Sequence, residues 1–276
     1  MKRILTVQDI SCVGKCSLTV ALPIISAMGV ECSILPTAVL STHTMFKNFT
    51  CKDLTSEIEP ITEHFKKENM QFDALYTGYL GSFEQIDLMK KLFEDFKTDS
   101  NLTFVDPSMA DNGKLYDAFD VPFAKYMASL CAKADIIVPN ITEACFMTDT
   151  VYKESYDEAY VKDLLLKLAD FGCKIAVLTG VSFTEGETGV MAYDKEKDEF
   201  FYYRHKKQSR SYHGTGDIFS STFIGAMMRG KTYKEAIKIA ADYTSECIRL
   251  TILDKSIPWY GVNFEEAIPF LLDSLK

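Results

Sequence analysis

One short stretch combines glycines, a hydroxyl group and a carboxylate directly before an apolar helical pattern. Residues 211–222 read SYHGTGDIFSST, which puts Gly214, Thr215, Gly216 and Asp217 at the predicted start of a helix. Glycine lets the backbone turn tightly with its N–H groups exposed, and a helix N-terminus adds positive potential. Together these features predict a binding site for an anion such as phosphate.

Asp217 has two interpretations at this position. It could cap the helix, because aspartate is favoured at helix N-termini. It could instead be a general base that takes a proton from a hydroxyl group attacking a phosphate in the glycine loop. The tetrapeptide alone leaves both interpretations open.

Three acidic residues could bind the metal ion that a phosphate site commonly needs. Asp106 and Asp111 follow one predicted strand, and Glu143 follows the next. Ligands of a parallel sheet bind outside the carboxyl ends of its strands. Each acid alone is explained as well by a helix cap or a surface charge, but their joint placement predicts Mg²⁺ held through carboxylates and water.

Short β-type runs alternate with helical patterns along the chain, which positions these residues. We predict strands at 3–9, 32–40, 73–79, 102–107, 135–140 and 174–180, and helices at 17–28, 53–68, 83–97, 120–132, 156–171, 216–229, 232–252 and 263–275. An antiparallel hairpin is predicted at 189–207. Several strands are apolar on both faces, as in a parallel sheet covered by helices. The pattern predicts one α/β domain over residues 1–276, with three layers and a mostly parallel central sheet flanked by helices.

Composition excludes several classes of protein. The chain of 276 residues has a net charge of −9, which argues against nucleic acid or an anionic membrane as a partner. The sequence contains no run of about 18 apolar residues, so no membrane span is predicted. Eight cysteines and four histidines form no CxxC pair or zinc pattern. Reduced thiols in a cytoplasmic protein are therefore expected.

The motifs taken together give the chain a family likeness. The chain resembles the pyridoxal kinases of the ribokinase superfamily over essentially its full length. The matching pieces are Ser11, STHT at 41–44, TGYLG at 77–81, DPSMAD at 106–111, PNITE at 139–143, LTG at 178–180 and HGTGD at 213–217. The resemblance implies a ribokinase-like fold, usually dimeric. It also implies ATP-dependent phosphorylation of the 5′-hydroxymethyl group of pyridoxal, and of pyridoxamine and pyridoxine, in vitamin B6 salvage.

The resemblance also implies a role for each matching residue. Asp217 would activate the 5′-hydroxyl group, and the loop from Gly214 through Thr215 to Gly216 would hold the γ-phosphate. The other roles fall into two groups: Ser11, Thr44 and Tyr79 for the pyridine ring, and Asn140, Glu143 and Thr179 for the ATP phosphates and Mg²⁺, with Asp106 and Asp111 nearby.

Some positions depart from the family pattern. Ser108 and Ala110 replace the valine and glycine of DPVMGD, and Thr42 replaces the asparagine of SNHT. Val138 stands where some of these kinases have threonine, which leaves open a monovalent cation such as K⁺. The sequence therefore leaves open which of pyridoxal, pyridoxamine and pyridoxine would be the preferred substrate.

Three other functions fit parts of the pattern. A hydroxymethylpyrimidine kinase shares the glycine loop, but those enzymes usually carry a glycine-rich stretch after the first strand, and often cysteine where this chain has Asp217. A sugar or nucleoside kinase would typically have a Gly-Gly pair near its start. A non-catalytic ligand-binding protein with this fold is disfavoured by the intact Asp217 and both glycines.

Overall fold

The computed structural model describes residues 1–254, 256 and 259–276. The chain forms two compact units. One contains Met1–Ala74 and Lys206–Lys276, and the other contains Leu75–His205. The predicted single domain over residues 1–276 stays a prediction.

The first unit begins with three strands and two helices. β1 (Arg3–Val13) pairs in parallel with β2 (Glu31–Thr42), and β3 (Cys51–Asp53) is antiparallel to β2. Helices α1 (Leu18–Ala27) and α2 (Thr55–Lys67) pack on these strands. β1 is buried without interruption from its second to its seventh residue, as expected for a strand covered on both faces.

Three further helices complete the first unit. They are α7 (Thr215–Met228), α8 (Tyr233–Leu253) and α9 (Ile268–Ser274). α7 packs closely on α1 at Gly225, where a Cβ would overlap the side chain of Met28. Gly225 lies near the C-terminal end of α7 and Met28 is the C-cap residue of α1, so this contact holds these two helix ends together.

The second unit alternates strands and helices before it ends in a hairpin. Its strands are β4 (Ala74–Thr77), β5 (Leu102–Val105), β6 (Ala110–Asp111), β7 (Lys114–Leu115), β8 (Ile136–Ile137), β9 (Ile175–Val181), β10 (Glu187–Asp194) and β11 (Glu199–Lys206). Its helices are α3 (Phe83–Phe96), α4 (Val121–Cys131), α5 (Ile141–Thr148) and α6 (Glu158–Asp170). β5, β8 and β9 are parallel, and β10 runs antiparallel to β9.

The predicted fold class is confirmed: the chain is a mixed α/β protein with a mostly parallel sheet flanked by helices and an antiparallel hairpin. Several boundaries differ from prediction; β1, for example, runs to Val13 rather than ending at residue 9. The strand predicted at 135–140 ends at Ile137, because Asn140 caps α5, a helix that the sequence pattern did not predict. The last helix begins at Ile268 rather than at residue 263, with Pro269 in its first turn, a favoured position for proline. Within the described part of the chain, no helix is long and apolar enough to cross a membrane.

Candidate active site

The glycine loop lies at the N-terminus of α7. Gly214 is the N-cap residue and has a φ of 83°, a left-handed conformation that glycine adopts without strain. A Cβ on Gly214 would also overlap the carbonyl oxygen of Lys15. Gly216 differs, because a Cβ there would meet no atom within 4 Å. Packing therefore explains Gly214 but not Gly216, and the open space at Gly216 fits the predicted anion site.

Thr215 stabilises this loop through its side chain. It is the first residue of α7, and its hydroxyl group donates a hydrogen bond of 3.1 Å to the carbonyl oxygen of Tyr212. This bond closes the turn that leads into the helix. The predicted contact of Thr215 with a phosphate stays a prediction.

Asp217 lies in the first turn of α7, but the structure does not use it as the N-cap. The N-cap is Gly214, and no side-chain cap hydrogen bond is formed there. Instead, Oδ2 of Asp217 accepts a hydrogen bond of 3.0 Å from the backbone N–H of Ser17. The carboxylate is therefore tied to the segment between β1 and α1, and the predicted role of Asp217 as a base stays a prediction.

A second carboxylate, Asp9, lies in this region and was given no role by the sequence analysis. Its side chain is buried, with 5% of its surface exposed. Oδ1 accepts a hydrogen bond of 2.6 Å from the Ser17 hydroxyl, and Oδ2 accepts one of 3.1 Å from the Ser11 hydroxyl. Burial raises the pKa of Asp9, and these hydrogen bonds oppose that shift. A carboxylate in the middle of the strand sequence RILTVQDISCV was the signal that could have identified it.

Ser11 and Cys16 lie in the same region as Asp9. Ser11 was predicted to hold a pyridine ring, and in the structure its hydroxyl group donates to Asp9. Cys16 lies beside both carboxylates, and its burial together with the charges of Asp217 and Asp9 raises the pKa of its thiol far above the ordinary value. This shift favours the neutral thiol of Cys16 over the thiolate.

Two histidines lie next to the glycine loop. The rings of His43 and His213 lie 4.5 Å apart between centroids. Nδ1 of His43 accepts a hydrogen bond from the N–H of Met45, so Nε2 carries the hydrogen and donates to the carbonyl oxygen of Tyr260, 2.9 Å away. Burial and the neighbouring His43 lower the pKa of His213 to about 4. His213 is therefore neutral near pH 7.

Thr44 follows His43 and is exposed at the surface of the first unit. Its neighbour Phe46 contacts the rings of Trp259 and Tyr260, with centroid distances of 4.7 and 5.4 Å. These contacts connect the loop after β2 to residues 259–260. The predicted contact of Thr44 with a ring stays a prediction.

In the second unit, Asn140 and Glu143 form a capping box at the N-terminus of α5. The Asn140 side chain accepts from the Glu143 N–H at 3.0 Å, and Oε2 of Glu143 accepts from the Asn140 N–H at 2.8 Å. Oε1 of Glu143 also accepts from the N–H of Met109 at 3.0 Å, and the Asn140 amide donates to the carbonyl oxygen of Ala110 at 2.8 Å. Both side chains therefore hold the 109–110 segment against α5.

The three predicted metal ligands are not equivalent. Asp106 and Glu143 are buried, with 7% and 3% of their surfaces exposed. Burial and the charge of Asp106 raise the pKa of Glu143 well above its usual value. Asp111 is exposed, and both of its oxygens accept hydrogen bonds from Asn112. Within residues 1–254, 256 and 259–276, no group of three or more His, Cys, Asp or Glu side chains is placed to hold a metal ion. The predicted trio is therefore not preformed, although the Asp106–Glu143 pair has the chemistry that a divalent cation would stabilise.

Thr179 and Tyr79 occupy different parts of the second unit. Thr179 forms a parallel β-bridge with Asn140, and its N–H donates to the carbonyl oxygen of Pro139 at 3.1 Å. Thr179 therefore lies beside Asn140, and the predicted contacts of Asn140, Glu143 and Thr179 with the ATP phosphates stay predictions. The ring of Tyr79 packs against Phe119, with 5.4 Å between centroids, and its predicted contact with a pyridine ring stays a prediction.

The chain is similar in sequence and in fold to kinases that act on small molecules. A sequence profile of the phosphomethylpyrimidine kinases matches residues 22–258. A pyridoxal kinase from Dictyostelium discoideum is 25% identical over 244 residues, which cover 83% of this chain and 80% of the relative.

Two solved structures are similar over nearly the whole chain. The first is a candidate phosphomethylpyrimidine kinase from Bacteroides thetaiotaomicron crystallised with pyridoxal; it is 37% identical, with a TM-score of 0.93, and the match covers 98% of this chain and 95% of that one. The second is a pyridoxal kinase from Lactobacillus plantarum; it is 28% identical, with a TM-score of 0.90, and the match covers 99% of this chain and 97% of that one.

Proposed function

The chain belongs to the phosphomethylpyrimidine kinase family and is a phosphotransferase, and we propose that it phosphorylates the 5′-hydroxymethyl group of pyridoxal with ATP. Pyridoxamine and pyridoxine are further proposed substrates. The observation that carries the proposal is the position of Asp217, a carboxylate in the first turn of α7 directly after the glycine loop.

In the proposed reaction, the hydroxyl oxygen of the substrate bonds to the γ-phosphorus of ATP. The bond from that phosphorus to the β,γ-bridging oxygen breaks, and ADP leaves. Asp217 takes the hydroxyl proton. The N-terminus of α7, with the open space at Gly216, stabilises the charge of the transferred phosphoryl group.

The other proposed contacts involve residues at the ends of β5, β8 and β9. Asn140, Glu143 and Thr179 are proposed to bind the ATP phosphates, and Asp106 with Glu143 to hold Mg²⁺. Bound Mg²⁺ neutralises phosphate charge. The burial of Asp106 and Glu143 close to each other supports this assignment, because a cation offsets the repulsion between two neighbouring carboxylates. Binding of K⁺, dimerisation and a cytoplasmic location stay predictions.

A second candidate function is phosphorylation of hydroxymethylpyrimidine. It is favoured by the family match over residues 22–258. Both substrates present a primary alcohol on a nitrogen heterocycle, so the same base and glycine loop serve either reaction. Pyridoxal is preferred here because a 37% identical structure was solved with pyridoxal.

The test is ADP release by the purified protein with Mg-ATP. Pyridoxal, pyridoxamine, pyridoxine and hydroxymethylpyrimidine are compared at equal concentrations, and each phosphorylated product is identified by mass spectrometry. We expect the highest kcat/KM for a B6 vitamer. The highest kcat/KM for hydroxymethylpyrimidine would support the second candidate, and no turnover with any of the four would contradict both.

A further inference from the structure

Ser17 has a backbone conformation that residues with a side chain rarely adopt. Its φ is 50° and its ψ is −132°, outside the regions that are favourable for L-amino acids. Such a conformation persists only where the surrounding contacts enforce it, and it is common at functional sites. Ser17 makes two such contacts, one through its hydroxyl group and one through its backbone N–H.

Ser17 connects two carboxylates through two different atoms. Its hydroxyl group donates to Oδ1 of Asp9 at 2.6 Å. Its backbone N–H donates to Oδ2 of Asp217 at 3.0 Å, from a position 200 residues away in the sequence. Ser17 thus connects Asp9, which is buried on β1, to Asp217, the predicted base.

Helix capping does not account for the Ser17 side chain. Ser17 is the N-cap residue of α1, but its side chain makes no cap hydrogen bond. Serine at an N-cap normally accepts a hydrogen bond from the backbone of its own helix. The hydroxyl group is used for Asp9 instead.

Asp9 is a rigid anchor for this bond. It lies on β1, it is 5% exposed, and its second oxygen accepts from Ser11. A buried carboxylate with hydrogen bonds to both oxygens cannot rotate without leaving a polar group unpaired. The Ser17 hydroxyl is therefore held from a fixed point.

We infer that Asp9 and Ser17 are positioning residues for Asp217. Asp9 fixes the Ser17 hydroxyl, this bond keeps residue 17 in its conformation with positive φ, and that conformation directs the Ser17 N–H at Oδ2 of Asp217. A fixed hydrogen bond on one carboxylate oxygen sets the orientation of the whole group toward a substrate hydroxyl. The catalytic consequence rests on the proposed role of Asp217 as a base, whereas the arrangement itself does not.

The arrangement is tested without any assay of activity, by hydrogen exchange at the amide of residue 17. Wild type is compared with Asp9→Asn, Ser17→Ala and Ser17→Gly. We expect exchange at residue 17 to accelerate at least about tenfold in Asp9→Asn and Ser17→Ala. Ser17→Gly should stay closer to wild type, because glycine adopts a positive φ without the Asp9 bond. Unchanged protection in both Asp9→Asn and Ser17→Ala would overturn the inference.

The catalytic consequence is tested with the same variants on the best alcohol substrate. We expect kcat to fall roughly 10–100-fold in Asp9→Asn and Ser17→Ala, with a much smaller change in KM, because a small misplacement of a base is costly. Ser17→Gly should recover part of the kcat lost in Ser17→Ala. The double variant Asp9→Asn with Ser17→Ala should be no slower than the slower single variant, because both changes break one contact.

Two matched controls separate positioning from folding. Ser129→Ala removes a hydroxyl that donates at 2.6 Å to the Tyr126 carbonyl, and Asp135→Asn alters a buried carboxylate that accepts from Thr103 at 2.8 Å. Both should keep the wild-type kcat, even where the melting temperature falls. A Ser17→Gly variant no faster than Ser17→Ala, or an unchanged kcat in Asp9→Asn, would overturn the positioning role. Wild type without turnover on any alcohol would remove the proposed function, and exchange at residue 17 would still decide the arrangement.

Discussion

Gly214 lies so close to Lys15 that a Cβ on residue 214 would overlap the Lys15 carbonyl oxygen. Both residues are left-handed, with φ values of 83° and 53°. The glycine loop therefore fits against the segment between β1 and α1, which also carries Ser17. Changes in either segment should affect the other.

Gly214→Ala should damage both stability and turnover. The left-handed backbone costs an alanine about 1–2 kcal/mol, and the overlap with Lys15 adds to this. The matched control is Gly230→Ala, which has the same backbone strain at φ 85° but no atom within 4 Å of the added Cβ. Urea unfolding and kcat measure the two effects. We expect Gly230→Ala to lower stability but not kcat. A Gly214→Ala variant that keeps the wild-type kcat would contradict the close fit of the glycine loop against Lys15.

Gly216→Ala should impair turnover without lowering stability. The added methyl group meets nothing within 4 Å, and alanine in a helix is more favourable than glycine by about 0.5–1 kcal/mol. The variant should therefore be at least as stable as wild type. If the space holds the transferred phosphate, kcat should fall or the KM for ATP should rise at least about tenfold. A stable variant with wild-type kinetics would exclude phosphate from this position.

Glu143→Gln should destabilise the second unit. The Glu143 carboxylate accepts from the N–H groups of Asn140 and Met109, and the amide group of glutamine must turn donors toward one of them. Leaving a buried donor unpaired costs about 1–3 kcal/mol. Glu235→Gln is the matched control, because Glu235 forms the same capping box with Thr232 at an exposed position. Denaturant unfolding should show a much smaller loss for Glu235→Gln, and equal losses would contradict the buried role of Glu143.

His213 should make the protein less stable in mild acid. The unfolded chain binds the histidine proton near pH 6.5, whereas the folded pKa is lowered to about 4. The unfolded state therefore binds more protons between these values, and stability falls as the pH drops through this window. The raised pKa values of Asp9 and Glu143 act in the opposite direction. Urea unfolding from pH 4.5 to 7 should show a smaller acid loss in His213→Asn than in wild type; parallel curves would contradict the shift.

Local patterns predicted much of the fold and part of the site. Alternating strands and helices gave the α/β class, and the run from Gly214 to Asp217 marked the start of α7 correctly. The Asp9–Ser17–Asp217 contacts could not be predicted, because they depend on segments 200 residues apart. The hydrogen bonds that Glu143 accepts from Met109 and Ala110 could not be predicted for a related reason, because these two residues lie on another segment. Such contacts are fixed by packing and leave no periodic signal in the sequence.

The most direct test of the central claim compares wild type with Asp217→Asn. Steady-state kinetics with Mg-ATP and the best alcohol give kcat, and calorimetry without ATP gives the Kd for that alcohol. If Asp217 is the base, kcat should fall roughly 10²–10⁴-fold while Kd and the melting temperature change little. A variant that keeps most of the wild-type kcat would contradict the claim.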